Sequence, residues 1–551
     1  MMFVFSVSLT VFGTRASKLM LHNAVTRVLR APMSFFDTTP LGRITNRFSK
    51  DVDTMDNTLT DSFRMFFMTT AQIVAVFILI IAYFYYFAVA LAPLLLMFLF
   101  SASYYRASAR EIKRHEAVLR STVFSRFGEA VNGIATIRAY GLQNQFSDSV
   151  KDAIDTMNSA YFLTMSNQRW LSTRLDAIGN LLVFVTGILV VTSRFSIDPS
   201  ISGLVLSYIL SIVQMIQFTV RQLAEVENNM NSTERVHYYG TELEEEAPLH
   251  TVEVRPSWPE QGQIEFRDVE MRYRAGLPLV LKGLSMNVRG GERIGVVGRT
   301  GAGKSSIMST LFRLVEISGG QILIDGLDIA KIGLKDLRSR LSIIPQDPTL
   351  FKGTIRSNLD PFNEHDDLKL WSALRQADLV GETQAMDDKG PNSRINLDAQ
   401  VEEEGLNFSL GQRQLMALAR ALVRGSQIIV CDEATSSVDF ETDQKIQRTI
   451  VKGFAGKTLL CIAHRLKTII GYDRICVMDA GTIAEFDHPL TLWEQGGIFR
   501  GMCDRSGIRR EDFEMSDLQR VQSLNNNAGE ITEATRFEEV SGDEVMDEKR
   551  I

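Results

Sequence analysis

Cysteine is scarce in this chain. The 551 residues contain four, Cys431, Cys461, Cys476 and Cys503. No two stand at metal-ligand spacing, so a disulfide scaffold and a cysteine zinc site are both excluded, and the four read as small buried hydrophobes in a reducing compartment. Positive charge is not in excess either. The 59 Lys and Arg face 66 Asp and Glu, a formal net charge of −7, and no nucleic-acid footprint results. The N-terminal "MMFVFSVSLTVFGTRASK" lacks both the basic leader and the A-x-A-like cleavage site of a signal peptide. It reads instead as a membrane span entered part-way.

Charge is also nearly missing from four stretches, residues 63–83, 87–104, 178–195 and 201–219. A helix crosses a bilayer core with about 20 apolar residues. Four such stretches in two close pairs argue against buried helices of a water-soluble protein, and residues 1–14 bring the expected number of spans to about five. The segment 15–62 carries Arg15, Lys18, Arg27, Arg30, Arg43, Arg47 and Lys50, and the segment 105–175 carries Arg106, Arg110, Lys113, Arg114, Arg120, Arg126 and Arg138. The turns near Tyr85 and Asp198 have no Lys or Arg beyond Arg194. The basic segments are therefore expected in the cytoplasm. "REIKRHEAVLRSTVFSRFGEAVNGIATIRAYG" keeps helical spacing without proline, so the membrane helices are expected to continue well below the bilayer. In "FFDTTPLGRITNRFSKDVDTMD" the Thr-Pro and Leu-Gly breaks predict a short helix lying across the tips of two long ones.

Four regions are expected. Residues 1–238 form a helical membrane domain, 239–261 a linker rich in Glu and broken by Pro256 and Pro259, 262–503 an α/β domain, and 504–551 an acidic disordered tail. Strand-like runs "QIEFRDV", "RIGVVG", "QILIDG", "LSIIPQ", "QIIVCDE", "TLLCIAH" and "RICVMD" alternate with helical ones, which predicts a largely parallel sheet.

The chemistry begins at "GRTGAGKSS", residues Gly298, Arg299, Thr300, Gly301, Ala302, Gly303, Lys304, Ser305 and Ser306. It matches G-x-x-x-x-G-K-[ST] between a strand and a helix, the context in which backbone N–H groups and a helix N-terminus cradle phosphates. Lys304 is expected on the β- and γ-phosphates of ATP and Ser305 on Mg²⁺. Downstream, "IIVCDEATSSVD" ends a buried strand on two acids. Asp432 is expected to hold Mg²⁺, and Glu433 to polarise the water that attacks the γ-phosphate.

With both motifs in place, the chain resembles the ATP-binding cassette transporters up to about residue 505. "PQDPTLF" resembles the Q-loop, which implies that Gln346 meets Mg²⁺ and the attacking water. "NFSLGQRQLMALARAL" resembles the signature motif, implying that Ser409, Leu410, Gly411 and Gln412 face an ATP held by another cassette. "SSVD" resembles the D-loop, ending at Asp439. "CIAHRL" implies that His464 is the switch histidine, and "VEMRYR" that Tyr273 stacks on adenine. More narrowly, the motifs are similar to the second half of C-type, multidrug-resistance-associated transporters, and to fungal oligomycin-resistance-type permeases among them. "APMSFFDTTPLGRITNRFSKDVDTMD" looks like the coupling loop of that group, and "GEAVNGIATIRAYG" like another membrane-domain loop.

The resemblance implies ATP-dependent export of amphiphilic or anionic organic compounds, with an ATP-gated channel or channel regulator as the alternative in the same subfamily. It also implies two departures. Leu410 stands where the family's usual signature has glycine, which puts the ATP site completed by this signature in doubt as a hydrolytic one. The membrane domain has about five spans where six are usual, so the chain looks like a half or fragment. Its expected partners are a first half with its own cassette, or another half-transporter, besides membrane lipid and a small-molecule substrate. Alone, the chain is expected to hydrolyse ATP weakly or not at all. The sequons at Asn231 and Asn407 fall on the expected cytoplasmic side and should carry no glycan, and Ser516 and Ser541 read as part of a solvated charge run.

Overall fold

The computed structural model describes residues 2–193, 195, 197–380, 395–433, 440–463 and 465–515. Arg194, Asp439, His464, Ser516 and Ser541 lie outside the described residues. The chain divides into two compact units. One holds Met1–Ala31 and Thr38–Glu245, the other Pro32–Asp37 and Glu246–Ile551.

The first unit is all helical. Its elements are α1 (Met2–Val28), α2 (Met33–Thr38, mostly counted with the second unit), α3 (Leu41–Asn46), π-helical turns at Arg47–Asp51 and Thr54–Thr58, α4 (Leu59–Tyr83), α5 (Phe87–Asn132), α6 (Ile134–Tyr140), α7 (Gln143–Thr192) and α8 (Pro199–Thr241). Local chemistry sets several ends. Asp198 caps α8 by accepting from the Ser200 N–H at 2.9 Å, with Pro199 in the first helical position. Gly141, at φ 68°, closes α6 in the left-handed conformation.

Four helical stretches are long and apolar enough to cross a membrane: Leu41–Tyr83, Phe87–Asn132, Gln143–Thr192 and Pro199–Thr241. The fifth expected span is a helix, α1, but Arg15 and Lys18 interrupt its apolar part, and it does not join the four. At 1.5 Å per residue, α7 is about 75 Å long, more than twice a bilayer core. The long helices therefore run far beyond their apolar parts, as the helical spacing of 110–141 leads one to expect, although Gly133 divides that stretch between the end of α5 and α6. Their outward faces display Phe67, Ile78, Val89, Leu96, Phe100 and Phe184, a surface suited to lipid and not to water. Inward, Ile80, Phe87, Leu175, Val205, Ile209 and Ile212 pack from four helices. Buried charges are paired. Asp51 takes two bonds from Arg235, at 2.9 and 2.6 Å, and one from Arg47 at 2.7 Å; Glu116 accepts from Lys113 and Thr164, each at 3.1 Å. A buried acid without such partners would be strongly destabilising.

The second unit contains β1 (Ile264–Met271), β2 (Leu281–Val288), β3 (Arg293–Gly298), α9 (Lys304–Leu311), β4 (Gly319–Ile324), β5 (Leu327–Asp328), α10 (Leu334–Arg338), β6 (Leu341–Ile344), β7 (Gly353–Thr354), α11 (Ile355–Leu359), α12 (Asp367–Gln376), β8 (Gln400–Val401), α13 (Leu410–Arg424), β9 (Ile428–Asp432), α14 (Phe440–Gly453), β10 (Thr458–Ile462), β11 (Arg474–Asp479), β12 (Thr482–Asp487), α15 (Pro489–Gln495) and α16 (Ile498–Arg505). All seven expected strands form, but not in one sheet. β11, β3, β10, β9 and β6 run parallel, with β12 antiparallel at one edge. β1 and β4 instead join β2 and β5 in a separate antiparallel sheet, ordered β2-β1-β4-β5. The physical reason is burial. β9 and β10 are buried at every residue, as strands covered on both faces must be, whereas β1 mixes buried and exposed positions.

One core fills the space around α9 with Phe266, Leu281, Ile294, Val296, Leu311 and Ile322. A second, on the other face of the parallel sheet, includes Ile508 and Phe513, so buried packing continues past residue 503. A third joins α11, α12 and α13. Because α13 contributes Leu415 and Leu418 to the second core and Met416 and Ala419 to the third, it ties the helical region to the sheet.

Candidate nucleotide site

The site grows from the carboxyl edge of the parallel sheet, where open α/β sheets bind ligands. β3 ends at Gly298 and α9 starts at Lys304, so the chain must reverse within five residues. Gly298 adopts φ 152° and Gly303 φ 96°. A Cβ at Gly298 would stand 2.3 Å from the Met478 carbonyl oxygen, which only glycine avoids. Arg299, Thr300 and Gly301 are exposed at the tip, while Ala302 and Gly303 are buried beneath it. The Lys304 ammonium lies along the loop, donating to the carbonyls of Gly298 at 3.0 Å and Arg299 at 3.3 Å.

Register brings the acids to the same edge. Ile462 of β10 pairs with Val296 on one side and Asp432 on the other, so Asp432 ends β9 beside the loop. Ser305 donates to its carboxylate at 3.3 Å. Burial raises the Asp432 pKa, and the neighbouring Glu433 charge adds to this against the opposing Ser305 bond and Lys304 charge. Glu433 follows in the left-handed region, φ 45°, a costly conformation for a side chain that bears a Cβ. Its N–H is held by the Ile462 carbonyl at 2.9 Å. Gln346, just past β6, donates from Nε2 to the Glu433 carboxylate at 3.1 Å. Tyr273, past β1, shares a 3.0 Å hydrogen bond with Ser306 at the start of α9.

Thus Tyr273, Gln346, Asp432 and Glu433 come together with the Gly298–Ser306 loop. The signature residues do not join them through hydrogen bonds. Ser409 caps α13, accepting from the Gln412 N–H at 3.2 Å while the Gln412 side chain accepts from the Ser409 N–H at 3.0 Å. Leu410 and Gly411 open the same turn, and its polar groups close on themselves. Two residues escaped the sequence reading. Gln414 donates to the Gln346 carbonyl at 2.6 Å, and Arg420 donates to the carbonyls of Thr349 and Asn358 at 2.8 and 2.7 Å. Both hold the Gln346 segment against α13. The only signal was their polar character within the apolar face "LMALARAL" and just before it.

The residues fit a Mg²⁺–nucleotide pair. One hydroxyl and one carboxylate, Ser305 and Asp432, suit Mg²⁺, which keeps waters and substrate phosphates as most of its ligands. The glycine loop, the helix start at Lys304 and the adjacent strand-end acids define a phosphate-loop nucleotide-binding domain, carried on one chain with a unit of membrane-crossing helices.

Comparison with known proteins narrows that class. Residues 1–217 match the family model described as the ABC transporter transmembrane region, and residues 281–436 match that described as ABC transporter. Together they cover more than half of the chain, which belongs to the ABC transporter family. It is 69% identical over 523 residues to the ABC-type transporter cicA of Emericella nidulans, covering 93% of this chain and 38% of that protein. It is 49% identical over 519 residues to the oligomycin resistance ATP-dependent permease YOR1 of Saccharomyces cerevisiae, covering 92% and 35%. A mouse protein, ATP-binding cassette sub-family C member 2, is 43% identical over 509 residues, covering 92% and 32%. The chain thus spans about a third of the length of the curated relatives it matches.

Proposed function

We propose that this chain supplies one membrane domain and one cassette of a transporter that exports amphiphilic or anionic organic compounds at the expense of ATP. The observation that carries the reading is the loop–acid cluster of Lys304, Ser305, Asp432, Glu433 and Gln346 on a domain fused to membrane helices. Loop N–H groups and Lys304 bind the phosphates; Tyr273 packs on adenine. Ser305, Asp432 and Gln346 would hold Mg²⁺, which would neutralise charge on the phosphates. Glu433, oriented by Gln346, takes a proton from the water whose oxygen attacks the γ-phosphorus, and the bond to ADP breaks. The resemblance implies His464 as the switch histidine and Asp439 as the end of the D-loop.

A second cassette provides the signature facing this loop, and Ser409, Leu410, Gly411 and Gln412 face the partner's ATP. That partner is the remainder of a longer polypeptide or another half-transporter. ATP acts by binding the closed state better than the open one. The cassette works in the cytoplasm, at the plasma or vacuolar membrane. A cavity of about 370 Å³ among α5, α7 and α8 is lined by Arg110, Lys113 and Arg221, by Glu225, and by Arg106 ion-paired to Glu227, a lining with a modest excess of positive charge that suits an anionic compound.

The test is ATP-dependent uptake of a fluorescent organic anion into inside-out vesicles holding this chain with its partner cassette. Uptake should vanish with Lys304→Ala, which also loses ATP binding, and with Glu433→Gln, which keeps ATP binding and lowers turnover by about 10²-fold or more. Transport that survives both changes, or a passive ATP-gated current in place of uptake, would overturn the reading.

A further inference from the structure

We infer that Arg338 is a positioning residue that clamps the connector leaving α8 to both helices bearing the nucleotide machinery. The inference rests on ATP binding at the Lys304 loop as read above.

The connector is stitched along its length. Glu246 receives both arms of the Arg338 guanidinium, at 2.8 Å each. The Pro248 and Leu249 carbonyls accept from the N–H groups of Leu334 and Lys335, both at 3.0 Å, at the start of α10. His250 meets Asp336 at 3.0 Å, and Thr251 donates to the Lys331 carbonyl at 2.6 Å. Gly333 is required here, since a Cβ would stand 2.2 Å from the Leu249 carbonyl oxygen.

Arg338 then reaches the far end of α9. Its Nε donates to Phe312 O at 3.0 Å and Nη2 to Arg313 O at 2.7 Å, the two residues that follow the helix. Arg424, the last residue of α13, in turn donates to the main-chain carbonyls of Arg338 and Ser339. The phosphate-loop helix, the signature helix and the connector therefore converge on one guanidinium and its backbone. The residue before Glu246 is anchored differently. Glu245 pairs with Arg30 at 2.9 Å within the helical unit.

α9 is a rod of eight residues, about 12 Å long. A phosphate pulling on its first turn displaces its last carbonyls too, and the planar fork of Arg338 passes that displacement to Glu246 only while its bidentate geometry holds. A lysine keeps the charge but has no fork.

Hydrogen exchange of the purified full chain, with and without MgATP, tests this, with ATP binding measured in parallel by a fluorescent analogue. In the wild type, MgATP should slow exchange of the Leu334 and Lys335 amides, which donate to the connector carbonyls, by at least about threefold. Glu246→Gln and Arg338→Lys should bind ATP as the wild type does yet lose that difference. A merely structural clasp would instead change exchange equally with and without nucleotide. Wild-type ATP binding with no response at Leu334 and Lys335, or a response that persists in both variants, would overturn the inference alone. No ATP binding by the wild type would overturn the nucleotide reading and this inference with it. Lysine at 338 is the milder change should Glu246→Gln lower the melting temperature.

Discussion

Glu292 shows how single side chains hold the cassette's sheets together. Its carboxylate takes the fork of Arg474 and also accepts from the Arg289 N–H at 2.8 Å, while the Arg474 guanidinium lies 4.1 Å over the Phe486 ring. Burial raises the carboxyl pKa, but the Arg474 bonds, the Arg289 N–H and the charges of both arginines outweigh it and hold the value below the ordinary range. A depressed carboxylate pKa adds stability that is complete above the unfolded value, about 4.3, and is lost as pH falls through the lower folded value. Glu292→Gln should therefore cost about 2 kcal/mol at neutral pH and flatten the acid limb of stability, read by denaturant midpoints from pH 7 down to 3. An unchanged acid limb would contradict the assignment. Gln414 acts similarly on a smaller scale. Replacing it with Ala removes the 2.6 Å donor to the Gln346 carbonyl, and should lower stability by about 1 kcal/mol while raising the ATP concentration needed for half-maximal binding.

At the scale of elements, the β3–loop–α9 unit was legible in the sequence because its chemistry is local. Glycines, lysine and serine at fixed offsets must fold into a phosphate cradle wherever a strand precedes and a helix follows. Gly298→Ala should accordingly abolish nucleotide binding, because the added methyl meets Met478 O and the backbone sits at φ 152°; calorimetric titration with MgATP measures it, and retained affinity would refute the steric argument. Other elements were not legible. β2, "LKGLSMNV", carries a glycine and polar residues that hide its alternation, and β12, "TIAEFD", is a mostly exposed edge strand. The separate antiparallel sheet follows from pairings such as Phe266 with Ile322 and Met286, which no local window contains. The same distance hid Gln414, 68 residues from Gln346, and Arg338, 92 from Glu246.

For the whole molecule, the phosphate loop and the signature turn serve different ATP sites in the proposed mechanism, so one chain holds two halves of two sites. The purified chain alone should show weak ATPase activity, and adding a cassette with a glycine at the position of Leu410 should raise it in a Glu433-dependent way, measured as phosphate release. Brisk Glu433-dependent turnover by the chain alone would refute the need for a partner. Sequence by itself determined the apolar stretches, the basic segments between them, the phosphate loop and the strand-end acids, because each is a matter of composition or spacing within a few residues. Only the tertiary structure decided which strands share a sheet, that Gln346 turns toward Glu433, and that Glu246 closes on Arg338. Those outcomes depend on packing between segments far apart in the chain, where hydrogen-bond partners are chosen by the fold and not by their neighbours.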